Sequence, residues 1–289
     1  MKKNIILVVN PISGAVDKSE LIATTKYFAS KENFKIHIYT TSGENDIANI
    51  QKLYNTFRPE RIIIAGGDGT IKMVAEAIEQ EDVILGILPA GSANGLATDL
   101  DLPSTLQENL QIAFLNDYME IDIIAINNQK SMHLSDLGLN AELIKNYEKS
   151  FVRGKIGYAL QVINTLIDFN DSFIATIAAN GNTITYGAKM IVIANAKKYG
   201  SGIIINPDGL MNDGKFELVI LKKFDFIVFA KIITGNMPIN NEDIEIISTN
   251  RATITTNFPV SFQMDGEFCG AMTKLNIEIL PKQIKVAIP

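Results

Sequence analysis

Apolar runs and helical stripes alternate along the first 120 or so residues of the chain. Strand-like runs fall at residues 4–9, 35–40, 61–65 and 83–88, and apolar residues recur at helical spacing near 18–30, 45–57 and 70–80. That rhythm predicts a parallel sheet with helices on both faces. Ligands of such sheets sit beyond the carboxyl ends of the strands. Here those ends carry Asn10-Pro11-Ile12-Ser13-Gly14, Thr40-Thr41-Ser42-Gly43, Gly66-Gly67-Asp68-Gly69-Thr70 and Pro89-Ala90-Gly91-Ser92-Ala93-Asn94. Polar and glycine-rich loops are therefore expected together on one edge.

Beyond residue 120 the texture changes to short β-like segments at 120–127, 131–136, 172–179, 183–194, 215–221, 244–248, 251–256, 259–264 and 275–280. Helical patterns near 141–149, 155–168 and 224–234 interrupt them. Many short strands with turn signals predict an antiparallel sandwich. No internal repeat, low-complexity tract or flexible linker is visible. The expected fold is an α/β domain over residues 1–122 and a β-rich domain over 123–289, with the site in the cleft between them.

The densest chemical signal is the passage from the apolar run Arg61-Ile62-Ile63-Ile64 into Gly66-Gly67-Asp68-Gly69-Thr70. A strand ending in glycines before a helix start offers unpaired backbone N–H groups to phosphate oxygens. Glycine lets the backbone approach the anion without a Cβ in the way. Asp68 would repel bare phosphate, so it either caps the helix or works through a divalent cation lying between. The spacing is neither the P-loop pattern nor the spaced-glycine dinucleotide fingerprint.

Composition narrows the class. Of the 289 residues, 47% are hydrophobic, enough for two ordinary cores. The single cysteine, Cys269, permits no intrachain disulfide and fits a reducing compartment as a small apolar side chain. Met1-Lys2-Lys3-Asn4 passes directly into a run too short for a signal peptide, and no apolar stretch is long enough to span a bilayer. A formal charge of −6 argues against broad nucleic-acid binding. His37 and His133 sit in alternating strand patterns without metal-ligand spacing, which favours structural roles.

In their order along the chain, the motifs resemble the diacylglycerol kinase catalytic domain family, which includes bacterial lipid kinases and the sphingosine and ceramide kinases. They are the Asn10–Gly14, Gly66–Thr70 and Pro89–Asn94 segments, then Ser135-Asp136-Leu137-Gly138-Leu139-Asn140-Ala141, Asn206-Pro207-Asp208-Gly209-Leu210-Met211-Asn212-Asp213-Gly214 and Gln263-Met264-Asp265-Gly266-Glu267. The resemblance implies a cytoplasmic, ATP- and Mg2+-dependent lipid kinase, transiently peripheral at the membrane, where it phosphorylates a diacylglycerol-like hydroxyl. A homodimer is compatible with it. Asn10, Pro11, Ser13 and Gly14 would then meet the nucleotide phosphates and ribose, with Thr40 near the base or ribose. Gly66, Gly67, Gly69 and Thr70 would hold phosphates, Asp68 would act through magnesium, and Ser92 and Asn94 would contact the ligand or cap a helix. Asp122 would join Asp68 in a water network around the metal, unless it lies on a solvated strand face. Leu210, Asp213 and Lys215 fall at the family's second, structural magnesium, where Leu210 and Lys215 serve only through their carbonyls; the alternative is a plain turn.

Asp265-Gly266-Glu267 is where the resemblance puts catalysis. Either Asp265 or Glu267 would accept the proton of the lipid hydroxyl; by itself such a tripeptide is a surface turn. Three departures from the family lie at Lys72-Met73, at Gly95-Leu96-Ala97-Thr98 and in Thr41-Ser42-Gly43-Glu44-Asn45-Asp46-Ile47. They bear on nucleotide choice and catalytic efficiency, and so keep open a nucleotide- or lipid-binding protein without transfer activity; the shared Gly-Gly-Asp-Gly-Thr motif keeps open an NAD kinase or other soluble-metabolite kinase. Lys145, Lys149, Arg153 and Lys155 form a basic run suited to anionic headgroups or to a solvated face. The apolar segment 158–167 that follows is a candidate wall for a lipid groove, or packs inside the second domain.

Overall fold

The computed structural model describes residues 2–14, 17–79, 81–92, 94–138, 141, 172–198, 204–223 and 242–289. The basic run 145–155, the candidate wall 158–167 and the helical patterns at 155–168 and 224–234 lie outside the described residues, as does nearly all of 141–149. The chain divides into two compact units. The first comprises Met1–Asp122 and, among the other described residues, Pro281–Pro289; the second takes the described residues from Ile123 to Leu280.

In the first unit, β1 (Lys3–Val9), β2 (Phe34–Thr40), β3 (Arg61–Gly66) and β4 (Ile84–Pro89) form a parallel sheet in the order β4-β3-β1-β2. Val9 pairs with both Thr40 and Ala65, and Gly66 pairs with Pro89, so the carboxyl ends are level. Alternation along β1 sends Ile5, Leu7 and Val9 to one face, where Leu21 and Phe28 of α1 (Lys18–Lys31) and Phe114 of α5 (Leu106–Leu115) cover them. Phe114 meets Phe28 and Phe34 edge-on at centroid distances of 5.2 and 5.6 Å. On the other side, α2 (Asp46–Phe57) packs against β1, α3 (Asp68–Ala77) against β3, and the two helices against each other. Ile6, Val8, Ile50 and Val74 are all buried.

Two features of this unit escaped the sequence reading. Helix α5 is capped by Thr105, whose Oγ1 accepts from the Glu108 amide at 3.3 Å while its hydroxyl donates to the Glu108 carboxylate. The chain also returns at its end, and Lys285 and Val286 pair in parallel with Ile84 and Leu85 of β4. A linear division at residue 122 therefore misassigns 281–289: an edge strand is recruited by backbone pairing, whatever its distance along the chain.

The second unit is an antiparallel, sandwich-like domain. Its strands are β5 (Tyr118–Ile126, entering from the first unit), β6 (Gln129–Ser131), β7 (Leu134–Gly138), β8 (Phe173–Ala179), β9 (Asn182–Ala188), β10 (Met190–Ala194), β11 (Phe216–Leu221), β12 (Ile244–Thr249), β13 (Arg251–Met264) and β14 (Glu267–Ala287). The expected strands 251–256 and 259–264 are one strand, β13, with a register shift between Thr255 and Val260. Its first half pairs with β8 and its last residues with β7, so the irregularity lets one strand serve both layers. The run 183–194 breaks at Lys189, because β9 pairs with β8 while β10 pairs with β7 and β11. Phe173, Phe216 and Phe262 fill the core between the layers. Among the described residues no helix is long and apolar enough to cross a membrane.

Candidate active site

The loops at the level edge of the parallel sheet touch through glycines. Gly14 has a φ of +55° and its missing Cβ would lie 2.6 Å from the Ala90 carbonyl oxygen. A Cβ on Gly91 would stand 2.5 Å from the Gly67 Cα, so the loops after β3 and β4 meet backbone to backbone. Asn10 ties the first loop to α3: its Nδ2 donates to Thr70 Oγ1 at 3.1 Å and its backbone N–H to the Ala65 carbonyl at 3.0 Å. Ser13 Oγ donates to the Asn10 carbonyl at 3.0 Å, while Pro11 stays exposed. The Asn94 side chain folds back on Gly91, accepting from its N–H at 2.8 Å and donating to its carbonyl at 3.0 Å. Asn94 thus shapes the loop rather than capping the short helix α4 (Gly95–Asp99), and Ser92 is exposed. Among the described residues nothing lies within 4 Å of where a Gly69 Cβ would be, so the first turn of α3 is open toward them there. Asp68 and Gly69 begin α3, where backbone N–H groups have no intrahelical acceptor. Thr40, exposed at the end of β2, is level with this edge through its pairing with Val9.

The Asp68 carboxylate faces α4. Its Oδ2 accepts from the Gly95 N–H at 2.8 Å and its Oδ1 from the Leu96 N–H at 3.0 Å, so it satisfies the start of a helix other than its own. Asp122 is fully buried and its Oδ1 accepts from the Lys282 N–H at 2.8 Å. Among the described residues no three His, Cys, Asp or Glu side chains cluster to hold a metal ion. A resident metal caged by protein side chains does not fit this donor set. Mg2+ commonly needs no such cage, because substrate phosphates and water supply most of its ligands. Leu210 is 52% exposed, and Asp213 Oδ1 accepts from the Lys215 N–H at 3.0 Å, a tight turn leading into β11.

In the second unit, Asp265 and Gly266 form the two-residue turn between β13 and β14, with φ of +50° and +88° and Met264 paired to Glu267. Positive φ at both positions is the hairpin geometry that Asp-Gly favours. The Asp265 carboxylate is heavily engaged. Its Oδ1 accepts from Ser131 Oγ at 2.9 Å and from the His133 N–H at 3.0 Å, and both oxygens meet the Met132 N–H at 3.2 Å. Those bonds hold the chain between β6 and β7, which is why the expected strand 131–136 is interrupted there. Glu267, two residues on, is exposed. The two acids differ sharply: one is anchored, the other is open to solvent.

Comparison with known proteins follows this geometry. Residues 4–126 match the family described as diacylglycerol kinase catalytic domain, and residues 136–288 match the YegS C-terminal NAD kinase beta sandwich-like domain. The chain belongs to this kinase family. Lipid kinase YegS of Escherichia coli K12 is 28% identical over 265 residues, covering 90% of this chain and 88% of that protein. A relative from Escherichia fergusonii is 29% identical over 266 residues, covering 89% and 88%. The crystal structure of a diacylglycerol kinase from Bacillus anthracis aligns with a TM-score of 0.79 at 17% identity, covering 99% of this chain and 97% of that one. Another structure from the same bacterium reaches 0.83 at 22% identity, covering 99% and 96%. These structural likenesses establish the shared fold.

Two residues that organise the kinase's loops were given no role by the sequence. Lys18, first residue of α1, donates from Nζ to the Ser13 carbonyl at 2.7 Å and the Ala90 carbonyl at 3.2 Å, and burial lowers its pKa. A cation at a helix N-terminus opposes the helix dipole, and that conflict was a usable signal. Asp46 is buried at the start of α2 and gathers the loop after β2. It accepts from Tyr39 Oη at 2.6 Å and from the Ser42 and Gly43 N–H groups at 3.0 and 2.8 Å. Burial pushes its pKa up, but the bonds from Tyr39, Ser42 and Gly43 outweigh that and hold it below its ordinary value.

Proposed function

We propose that this kinase transfers the γ-phosphate of Mg2+-bound ATP to a hydroxyl of a diacylglycerol-like lipid. What carries the reading is the backbone contact of the glycine loops beside the open first turn of α3, a surface of N–H donors suited to phosphate. The names of the E. coli and B. anthracis relatives add the lipid acceptor. In the reaction, the lipid hydroxyl oxygen bonds to the γ-phosphorus while the bond from phosphorus to the β–γ bridging oxygen breaks and ADP leaves. The hydroxyl proton passes to a carboxylate, for which Glu267 is the exposed candidate and Asp265 the anchored one. Phosphoryl transfer has a loose transition state, so alignment and charge neutralisation supply most of the rate and the base a smaller part. Bound with the nucleotide, magnesium would supply neutralisation of phosphate charge. The protein works at the membrane surface, lifting its substrate from the bilayer.

The test is incubation with labelled ATP, magnesium and a total lipid extract. A labelled lipid is the expected outcome. A labelled water-soluble product would instead favour a metabolite kinase, the reading closest to the NAD kinase-like description of the second domain. Tight ATP binding without any product would mean a binding protein that does not transfer phosphate.

A further inference from the structure

We infer that Asp136 is a positioning residue for phosphoryl transfer, acting through Gln263 on the Asp265–Gly266 peptide; this rests on the reading that the Asp265-Gly266-Glu267 turn serves the transfer. Asp136 lies in β7 and is 0% exposed, and Gln263 beside it in β13 is 2% exposed. Gln263 Nε2 donates to Asp136 Oδ2, and Gln263 Oε1 accepts from the Gly266 N–H at 2.8 Å.

The chemistry at each end fixes this bridge. A carboxylate only accepts and a backbone N–H only donates, so the residue between them must present an N–H one way and an oxygen the other. An amide does this in a single orientation. An ionised glutamate in its place could not donate to Asp136, a glutamic acid could do so only by taking up a proton there, and methionine could not donate at all. Asp136 thereby selects the orientation of the Gln263 amide, and the amide in turn holds the peptide joining Asp265 to Gly266. Both residues of that peptide have positive φ, and Glu267 follows immediately. The Asp265 side chain is tied to Ser131, Met132 and His133 by a separate set of bonds. Two independent sets of ties therefore converge on a two-residue turn.

An Asp-Gly hairpin turn forms without such help, because its backbone twist already matches the flanking strands. Burying a carboxylate is costly, and that cost is out of proportion to closing a turn. It is in proportion to fixing where two acids stand, since misplacement of reacting groups by about 1 Å can cost 10²-fold in rate. Rules of local economy are broken mainly at functional sites.

The experiment measures turnover of the lipid that the wild-type enzyme labels in a total extract, with Gln263→Met, Gln263→Glu and Asp136→Asn beside Glu267→Gln and Asp265→Asn. Gln263→Met and Gln263→Glu should lower kcat about tenfold or more while KM for ATP stays within about twofold. Asp136→Asn, whose amide donates as well as accepts and so no longer selects the Gln263 orientation, should lower kcat about threefold or more, and a wild-type kcat in this folded variant would overturn the role of Asp136. A folded Gln263→Met variant with wild-type kcat overturns the inference while the functional reading stands. Unchanged turnover in both Glu267→Gln and Asp265→Asn overturns that reading, and the inference with it. Amide hydrogen exchange of the wild-type protein decides the case if the Gln263 variants do not fold. The Gly266 N–H should be protected, and exchange at the rate of an open peptide would overturn the bridge.

Discussion

At the scale of single residues, the two acids of the Asp-Gly-Glu turn are chemically unequal. Asp265 gives its oxygens to Ser131, Met132 and His133, whereas Glu267 is exposed. Steady-state kinetics should separate them. Glu267→Gln is expected to lower kcat about 10²-fold, a usual general-base contribution. Asp265→Asn keeps an oxygen for the turn and tolerates positive φ, so its loss should stay within about tenfold. The opposite order would return the base to Asp265. Lys18 offers a second measurement, because its ammonium joins the carbonyls of Ser13 and Ala90 in two different loops. Lys18→Met keeps the length and removes the donors. ATP affinity measured by calorimetry should fall about tenfold, the worth of one hydrogen bond to a charged group. Unchanged affinity would reduce Lys18 to a surface contact.

At the scale of elements, the loop from β2 into α2 hangs on one buried carboxylate. The bonds from Tyr39, Ser42 and Gly43 hold the Asp46 pKa below its ordinary value despite burial. A depressed carboxylate pKa adds stability that is fully present above the unfolded value, about pH 4, and is lost as pH falls through the lower folded value. Urea unfolding of wild type and Asp46→Asn should therefore differ at pH 7 and converge below about pH 4. A difference that is constant with pH would mean that shape rather than charge holds the loop. Helix α5 shows the same economy at its other end. Arg61, buried at the start of β3, donates to the carbonyls of Ala113 and Asn116 at 3.2 and 2.6 Å, satisfying the C-terminal end of that helix. Arg61 was legible as the first residue of an apolar strand. Its work as a cap for a helix more than fifty residues on was not.

At the scale of the whole molecule, the last nine residues complete a domain that the chain left long before. Val286 and Ala287 are buried, Lys285 pairs with Asp82 at 2.6 Å, and the Ile288 N–H donates to the Asp117 carbonyl at 3.1 Å. Deleting 281–289 should strip β4 of its neighbour and abolish cooperative unfolding of the first unit together with ATP binding; full ATP affinity in the truncated protein would refute that dependence. This return marks the boundary between what was legible in the chain and what was not. The alternation of strands and helices to residue 122, the glycine loops at their ends and the β-rich second half followed from the sequence alone. Period-two and period-3.6 burial and the special backbone angles of glycine are local properties, written in adjacent residues. Even α5 had a local signature in Thr105 and Glu108 that could have been read. The partners of the chemical groups had none. Asp265 finds Ser131 across 134 positions, and Gln263 finds Asp136 across 127. Asp68 caps a helix that begins 27 residues later. A side chain's type limits which bonds it can make, but strand order and register decide which donors and acceptors come within 3 Å or so of it. The residue types and loops were therefore set by the sequence, and the tertiary structure alone decided which acid is anchored, which is open, and which buried carboxylate stands behind them.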